Sequence, residues 1–287
     1  MLGSPHLVAR AAGTRSRAGY ATAVVLVLAL PAGASAQVVE PVSVSQSVSV
    51  PAGGTRSLTV SCPGSAVAVG GAPTSFTSAS SIPTADPREW TFRFSAGATA
   101  RTASAVLRCV QLDLPGGVRG VNIGVGTRWL PLTVAPTSTE RAELTCKRGQ
   151  FPTGWALERA DSTADALAVA AAIPTRRGFD FRIENTGAVE AAGTLRIRCL
   201  GRIQHARNGD THSFSTRVAT FAGGTSHACR RSEYSVTAGA SIDPVGDAVL
   251  TGAYPTGSRG GRWSFSGASD APPATSLVCL SRTTRFR

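Results

Sequence analysis

The chain has 287 residues, of which 42% are hydrophobic, 6% aromatic and 16% charged, and its formal net charge is +12. This length suffices for one large domain or for two to three small ones. The many Gly, Pro, Ser, Thr and Val residues favour short strands joined by turns over helices.

The positive charge favours anionic partners, and the partner class that it predicts is an anionic wall polymer or surface glycan. The basic residues are scattered along the chain. Adjacent basic residues occur at Lys147-Arg148, Arg176-Arg177 and Arg230-Arg231. No basic run alternates with aromatic residues, which argues against a specific nucleic-acid groove. A solvated basic surface is the simpler interpretation of this charge.

Residues 1–36 have the three parts of a cleavable secretory signal peptide. A positive region without acidic residues comes first, and its arginines are Arg10, Arg15 and Arg17. An apolar run of ten residues, 21–30, follows, and Ala34-Ser35-Ala36 supplies a cleavage site after Ala36. Since about 20 apolar residues span a bilayer, the run favours cleavage over an uncleaved anchor. We expect a secreted, extracellular or surface-associated protein of net charge +9 without a transmembrane segment.

The first predicted unit, residues 37–114, begins with a strand that alternates valine and serine. Its apolar face carries Val42, Val44, Val48 and Val50. Further on, Trp90, Phe92 and Phe94 recur at every second position, which requires extended chain and predicts that Trp90 packs in a core. The unit contains, in this order, Cys62, Ile82-Pro83-Thr84, Trp90-Thr91-Phe92 and Cys109.

The second predicted unit, residues 115–208, repeats this order. It contains Cys146, Ile173-Pro174-Thr175, Phe179-Asp180-Phe181 and Cys199. Residues 165–173 are rich in Ala and Leu, a composition that is compatible with a short helix or a strand. The matching segments of the other units look extended, which favours a strand. Asn208-Gly209 is a strong hairpin signal, because both residues accept the positive φ angles of a type I′ turn. It predicts that the long stretches on its two sides pair.

The third predicted unit, residues 209–287, has the same order again. It contains Cys229, Tyr254-Pro255-Thr256, Trp263-Ser264-Phe265 and Cys279. An even number of cysteines in an exported chain indicates disulfides, and the repetition favours one bridge per unit. The predicted pairs are Cys62–Cys109, Cys146–Cys199 and Cys229–Cys279. No C-x-x-C motif is present and the cysteines are dispersed, which argues against a zinc site.

The fold class that follows is all-β, with three tandem, small, disulfide-stapled β-sandwich units of immunoglobulin-like architecture. True immunoglobulin domains carry a Trp soon after the first Cys. Here the repeated aromatic residue follows about 30 residues later. The pattern therefore predicts the architecture without family membership.

Motifs of known catalytic sites are missing from the sequence, including G-x-S-x-G, S-x-x-K, H-E-x-x-H, the P-loop and calcium loops. We therefore expect a non-enzyme without cofactor or metal, acting as a binding or surface-structural module. The alternative is a secreted hydrolase with a site around His205 and His212, which flank Asn208-Gly209 with Asp210 nearby. These two histidines could face each other across the hairpin.

Two tryptophans are candidates for an exposed aromatic contact. Trp90 and Trp263 occupy repeated positions shared with Phe179, which favours core packing. Trp129 and Trp155 fall outside the repeated positions, so these two are the better candidates for contact with a ligand such as a sugar.

Overall fold

The fold is given by a computed structural model that describes ten segments of the chain. These are residues 38–74, 79–113, 124–160, 166–205, 211–221, 226–241, 249–256, 262–268, 274–281 and 285–286. They consist of β-strands and turns without an α-helix, which confirms the predicted all-β class. The predicted leader with its cleavage site after Ala36 lies outside the described residues, and so do Asn208, Gly209 and Asp210.

The first six strands form two antiparallel three-stranded sheets. The strands are β1 (Val38–Val50), β2 (Thr55–Ser61), β3 (Val67–Pro73), β4 (Ala79–Pro83), β5 (Glu89–Ser95) and β6 (Arg101–Asp113). Their order is β1-β6-β3 in one sheet and β2-β5-β4 in the other. We call these six strands the first strand set.

The next six strands, the second strand set, are arranged in the same way. They are β7 (Val125–Val134), β8 (Thr139–Thr145), β9 (Gln150–Arg159), β10 (Leu167–Pro174), β11 (Gly178–Asn185) and β12 (Ala191–Gly201). Their order is β7-β12-β9 and β10-β11-β8. Residues 167–173 belong to β10, which confirms the strand predicted there.

The third strand set follows a short hairpin of β13 (Ile203–His205) and β14 (Thr211–Ser213). Its strands are β15 (Thr216–Phe221), β16 (Ser226–Ala228), β17 (Glu233–Ser241), β18 (Val249–Thr256), β19 (Arg262–Ala268) and β20 (Ala274–Ser281). They are ordered β15-β20-β17 and β16-β19-β18, and a final strand, β21 (Arg285–Phe286), pairs with β14.

The three strand sets share hydrogen-bonding order and register. In each set the sixth strand lies between the first and the third, and the fifth lies between the second and the fourth. The proline of each repeated triplet pairs with the first repeated aromatic residue, as Pro83–Trp90, Pro174–Phe179 and Pro255–Trp263. The predicted boundaries after residues 114 and 208 lie outside the described residues and stay predictions.

One disulfide joins the two sheets of each strand set. The bonds are Cys62–Cys109, Cys146–Cys199 and Cys229–Cys279, the pairing that the repetition predicts. Each links the residue after the second strand to the sixth strand. Closing loops of 47, 53 and 50 residues stabilises the fold by roughly 4 kcal/mol per bond in the chain-entropy account.

Apolar cores lie between the paired sheets. Trp90, Phe92 and Phe94 are fully buried in the first set, as Phe179 is in the second, which confirms the core positions predicted for Trp90 and the repeated aromatic residues there. A separate core draws on all three sets, with Val69, Val110, Phe151, Leu200, Val236 and Leu280 among its members. The three strand sets therefore share apolar packing.

The third strands of the three sets, β3, β9 and β17, come together around this shared core. Each carries a bulge that leaves one buried residue out of register, and these residues are Val69, Thr153 and Val236. Gly70 and Gly154 follow two of the bulges. A Cβ at Gly70 would lie 3.1 Å from the Thr153 carbonyl oxygen and 3.3 Å from that of Val236. The bulges bend the strands so that three backbones approach closely.

Fourth strands join neighbouring sets. β10 pairs with β17 through Ala171 and Ser241, which merges two sheets into one of six strands. β4 packs on β9, where the Ser80 hydroxyl donates to the Leu157 carbonyl and accepts from the Arg159 N–H, both at 3.2 Å. β18 contacts β3. Each set thus contacts the other two, and the described strands form one compact body.

The hairpin predicted at Asn208-Gly209 is shorter than expected. Ile203–His205 pairs with Thr211–Ser213, which confirms a hairpin around Asn208-Gly209. The turn residues themselves lie outside the described residues, so the type I′ turn stays a prediction. The longer stretches on its two sides do not pair, so that part of the prediction is wrong: β12 lies between β7 and β9, and β15 pairs with β20. The reason is that each sixth strand takes its partners from its own set.

Candidate functional site

A tight turn after β10 exposes two adjacent arginines. The Thr175 hydroxyl accepts hydrogen bonds from the backbone N–H groups of Gly178, at 3.0 Å, and Arg177, at 3.4 Å. Gly178 fits here because a Cβ would meet the Leu144 carbonyl oxygen. The turn thus holds Arg176 and Arg177 outward, and both are exposed.

Two further arginines approach this turn from other loops. Arg148 lies in the β8–β9 turn, where Gly149 adopts a positive φ of 83°. The Arg202 N–H, just beyond β12, donates to the Gly149 carbonyl at 2.8 Å. The Arg202 guanidinium lies 5.7 Å from the centroid of the Phe151 ring and donates to the Thr216 hydroxyl at 3.3 Å. Arg202 is therefore held in place by its neighbours.

Arg217 on β15 completes the group from the third strand set. It forms a two-pronged contact with Glu233, at 3.1 Å and 2.6 Å. This hydrogen bond raises the pKa of Arg217. Burial acts to raise the pKa of Glu233, but hydrogen bonds from Arg217 and from the Arg230 N–H outweigh it and lower the pKa. The carboxylate of Glu233 is therefore already paired.

These arginines border a cleft between the second and third strand sets. The cleft has a volume of about 420 Å³. Its apolar lining consists of Phe151, Pro152, Pro174, Val218 and Val278, and its polar lining of Thr175, Arg176, Arg202, Thr216 and Arg217. An adjoining opening of about 290 Å³ shares Arg176 and Arg202 and adds Arg148, Gly149, Gln150 and Arg177. We call both together the arginine cleft.

The arginine cleft carries uncompensated positive charge. Within the described residues the ion pairs are Arg182–Glu184, Arg196–Glu158 and Arg217–Glu233. Arg148, Arg176 and Arg177 have no carboxylate partner in that part of the chain. Burial lowers the pKa of Arg202, and the positive charge of Arg176 lowers it further. Both effects disfavour the charged form of Arg202, and a bound anion would oppose them because it favours the charged form.

The cleft coincides with a difference between the strand sets. The residue before the cysteine of the sixth strand is Arg108 in the first set, Arg198 in the second and Val278 in the third. Arg198 crosses to the first set and donates to the carbonyls of Thr84, Pro87 and Glu89 at 3.2–3.3 Å.

Arg108 also reaches out of its own set, from the first set to β17 of the third. It donates twice to the Ser235 carbonyl, at 3.2 Å and 3.3 Å, and once to the Ser43 hydroxyl, at 2.6 Å. Burial lowers the pKa of Arg108 to about 10, so its guanidinium stays charged at neutral pH. Val278 is too short for such a contact, and it lines the cleft instead.

The histidines proposed for a hydrolytic site are not opposite each other. The hairpin register pairs His205 with Thr211 and His212 with Gln204. His205 and His212 are therefore not cross-strand partners in this hairpin. The expectation that they face each other is wrong. Asp210 lies outside the described residues.

The two candidate tryptophans differ in exposure. Trp129 on β7 is 61% exposed, as expected for a contact residue. Trp155 on β9 is half-buried; its indole N–H donates to the Ala238 carbonyl at 3.0 Å and its ring packs edge-on against Phe181. Trp155 is therefore a packing residue between strand sets, and its expected exposure is wrong.

Metal-type donors approach one another at one place within the described residues. Cys229, Glu233 and Cys279 place their donor atoms within 4.8 Å of one another. Both sulfurs belong to a disulfide, and a metal requires thiolates. Since Glu233 is paired with Arg217, this cluster offers no set of metal ligands.

The arginine cleft was missed by sequence reasoning, although part of its signal was visible. Of the three adjacent basic pairs, Arg176-Arg177 contributes both residues to the cleft and Lys147-Arg148 contributes Arg148. Arg202, Arg217 and Val278 are isolated in the sequence and carry no local pattern.

Comparison of the chain with known protein families and with curated proteins finds no match. Among the described residues, no helix is long and apolar enough to cross a membrane. The function must therefore be argued from the site itself.

Proposed function

We propose that this protein is a secreted, non-enzymatic binding module that holds an anionic polymer of the cell envelope or its surroundings in the arginine cleft. The observation that carries this proposal is the placement of Arg148, Arg176 and Arg177, without carboxylate partners among the described residues, around a concave surface. Arginine binds carboxylate and phosphate groups through paired hydrogen bonds. A polymer suits two adjoining openings better than a single small ion does.

The lining of the cleft supports binding rather than catalysis. Its described side chains offer guanidinium, hydroxyl, amide and apolar groups. Guanidinium and hydroxyl groups do not exchange protons near neutral pH, as a general acid or base must. Apolar floors with a few placed polar groups are typical of ligand sites.

The proposed architecture is three tandem immunoglobulin-like sandwich units behind a cleaved leader. Its support is the shared strand order, together with a disulfide from the second to the sixth strand of each set. Immunoglobulin domains place their inter-sheet disulfide between the second and sixth strands as well. Three disulfides suit an oxidising compartment outside the cytoplasm.

Retention on immobilised dextran sulfate, with neutral dextran as the reference matrix, tests the proposed function. We expect retention on the sulfated matrix at about 0.1 M salt and elution as the salt rises, because exposed charges are screened. Replacing Arg176 and Arg177 together by Ala should weaken binding at least tenfold, since two charge-assisted contacts are lost.

The matched control replaces two exposed arginines of the first strand set, Arg93 and Arg101, by Ala. This variant loses the same net charge away from the cleft, so its affinity should fall no more than about threefold. Equal losses of affinity in the two variants would show that the net charge of the protein, and not the arginine cleft, causes the binding. Absence of retention on the sulfated matrix would refute the proposed function.

A further inference from the structure

The arginine cleft corresponds to a space that an arginine fills elsewhere in the molecule. Arg198 and Val278 occupy the same position before the disulfide cysteine of the sixth strand. Arg198 packs against the β4–β5 turn of the first set, where it contacts the Thr84 carbonyl. Val278 faces the corresponding β10–β11 turn, in which Thr175 matches Thr84 in the repeated triplet. A valine in place of an arginine leaves the intervening volume open.

The opened space is apolar at its floor and cationic at its rim. Pro174 and Val278 are buried and Val218 is half-buried, and we call these three apolar residues the floor. Arg176 is exposed and Arg202 is half-buried, and we call these two cations the rim. A volume of about 420 Å³ lies within the range of roughly 300–1,000 Å³ that is typical of pockets for small ligands. A ligand that fits both parts needs an apolar face and an anionic group on the same unit.

A sugar ring that bears a carboxylate meets both requirements. The C–H face of the ring can pack on proline and valine, while the carboxylate accepts paired hydrogen bonds from arginine. A polyphosphate also suits arginine, but its charged groups would lose water against the apolar floor without compensation. The adjoining opening, with Arg148, Arg177 and Gln150, offers charged and neutral hydrogen-bond donors to a second sugar.

We propose that the arginine cleft binds a carboxylated polysaccharide, with the ring of one acidic sugar on the floor and its carboxylate at Arg176 and Arg202. This inference rests on the proposed function of the cleft in binding anionic polymers. It adds the chemistry of the repeating unit of the polymer. It also attributes the specificity for an acidic sugar to position 278, where a valine stands in place of the arginine of the other two sets.

Isothermal titration calorimetry of the purified full chain with three probes tests the inference. The probes are a tetramer of galacturonate, the methyl ester of the same tetramer, and a linear polyphosphate of similar charge. We expect the acidic tetramer to bind at least tenfold more tightly than the ester, which keeps the rings without the charge. The polyphosphate, which has the charge without the rings, should also bind at least tenfold more weakly.

The substitution Val278→Arg separates the cleft from general electrostatic attraction. A guanidinium placed as in Arg198 would fill the floor, so affinity for the acidic tetramer should fall at least tenfold despite the added positive charge. Arg176 is exposed, so the substitution Arg176→Gln should not disturb folding. It should lower the affinity for the acidic tetramer about tenfold and leave the affinity for the ester unchanged. Tighter binding by Val278→Arg, or an unchanged affinity in Arg176→Gln, would overturn the assignment to the cleft.

The probes also distinguish this inference from the function on which it rests. Polyphosphate that binds as tightly as the acidic tetramer would refute the role of the sugar ring and leave anion binding intact. An ester that binds as tightly as the acid would refute the role of the charge in both proposals. Failure of all three probes, together with no retention on dextran sulfate, would refute both.

Discussion

The guanidinium carbon of Arg198 lies 5.5 Å from the centroid of the Trp90 indole ring, and the two residues belong to different strand sets. Both side chains are buried. Burial lowers the pKa of Arg198 to about 10, against a smaller opposing effect of Asp86, so the guanidinium remains charged at neutral pH. Its charge is stabilised by the indole face and by backbone carbonyls of the first set.

Replacing Arg198 by Ala should lower the free energy of unfolding by about 3 kcal/mol. Three carbonyls each lose one charge-assisted hydrogen bond, and a cavity opens in the junction. Arg196, two residues earlier on β12, is the matched control, because its ion pair with Glu158 is partly exposed. Arg196→Ala should cost less than about 1 kcal/mol. Urea unfolding without reductant measures both values, and equal losses would contradict a structural role for Arg198.

Gly154→Ala should destabilise the shared core by about 3 kcal/mol. The new Cβ would meet the Val69 carbonyl oxygen and lie 2.8 Å from the Gly70 Cα, and neither backbone can move without shifting a strand. Gly97 is the control, since a Cβ there meets nothing within 4 Å. Gly97→Ala should be neutral or slightly stabilising. Thermal unfolding of both variants tests this, and an unchanged midpoint for Gly154→Ala would refute the close approach of β3 and β9.

The Arg217–Glu233 pair should make stability depend on pH in the acid range. Hydrogen bonding lowers the pKa of Glu233 below its ordinary value of 4.5, so its contribution is complete above that value. It is lost as the pH falls through the folded-state pKa. Glu233→Gln should therefore cost about 0.5–1 kcal/mol at pH 7, a modest value because solvent screens the pair. The difference from the unmodified chain should shrink below about pH 4.5.

Urea unfolding of both proteins between pH 3 and pH 7 measures this difference. The control is Glu143, which is exposed and has no ion pair among the described residues. The free energy of unfolding of Glu143→Gln should match that of the unmodified chain at every pH. A Glu233→Gln deficit that persists unchanged to pH 3 would show that lost packing, not the charge, causes the effect.

The two candidate tryptophans should respond oppositely to replacement. Trp155→Ala should lower the free energy of unfolding by about 3 kcal/mol, because it removes the contact with Phe181 and the hydrogen bond to Ala238. Trp129→Ala should change it by less than about 0.5 kcal/mol, because the side chain is exposed. Guanidinium unfolding followed by circular dichroism gives both numbers. A large loss in Trp129→Ala would contradict its exposure.

Much of the fold could be predicted from the sequence, because strand periodicity and covalent pairing leave local traces. Alternation at Trp90, Phe92 and Phe94 identifies an extended strand with one buried face. The recurring order of cysteine, proline triplet and aromatic pair predicted the three disulfides. The register that pairs Pro83 with Trp90 was not predicted and comes from the structure. The hairpin predicted after residue 205 was too long. The reason is that turn residues indicate where the chain reverses and not how far the flanking strands pair.

The sequence by itself determined the strands, the disulfide pairs and the adjacent arginines at positions 176 and 177. Only the tertiary structure decided that Arg202, Arg217 and Val278 meet beside them, and that Trp155 lies inside while Trp129 lies outside. The physical reason is that periodicity is a property of a single strand. The cleft instead arises between strand sets, where a short side chain stands at a position that an arginine fills elsewhere, and no local pattern records that difference.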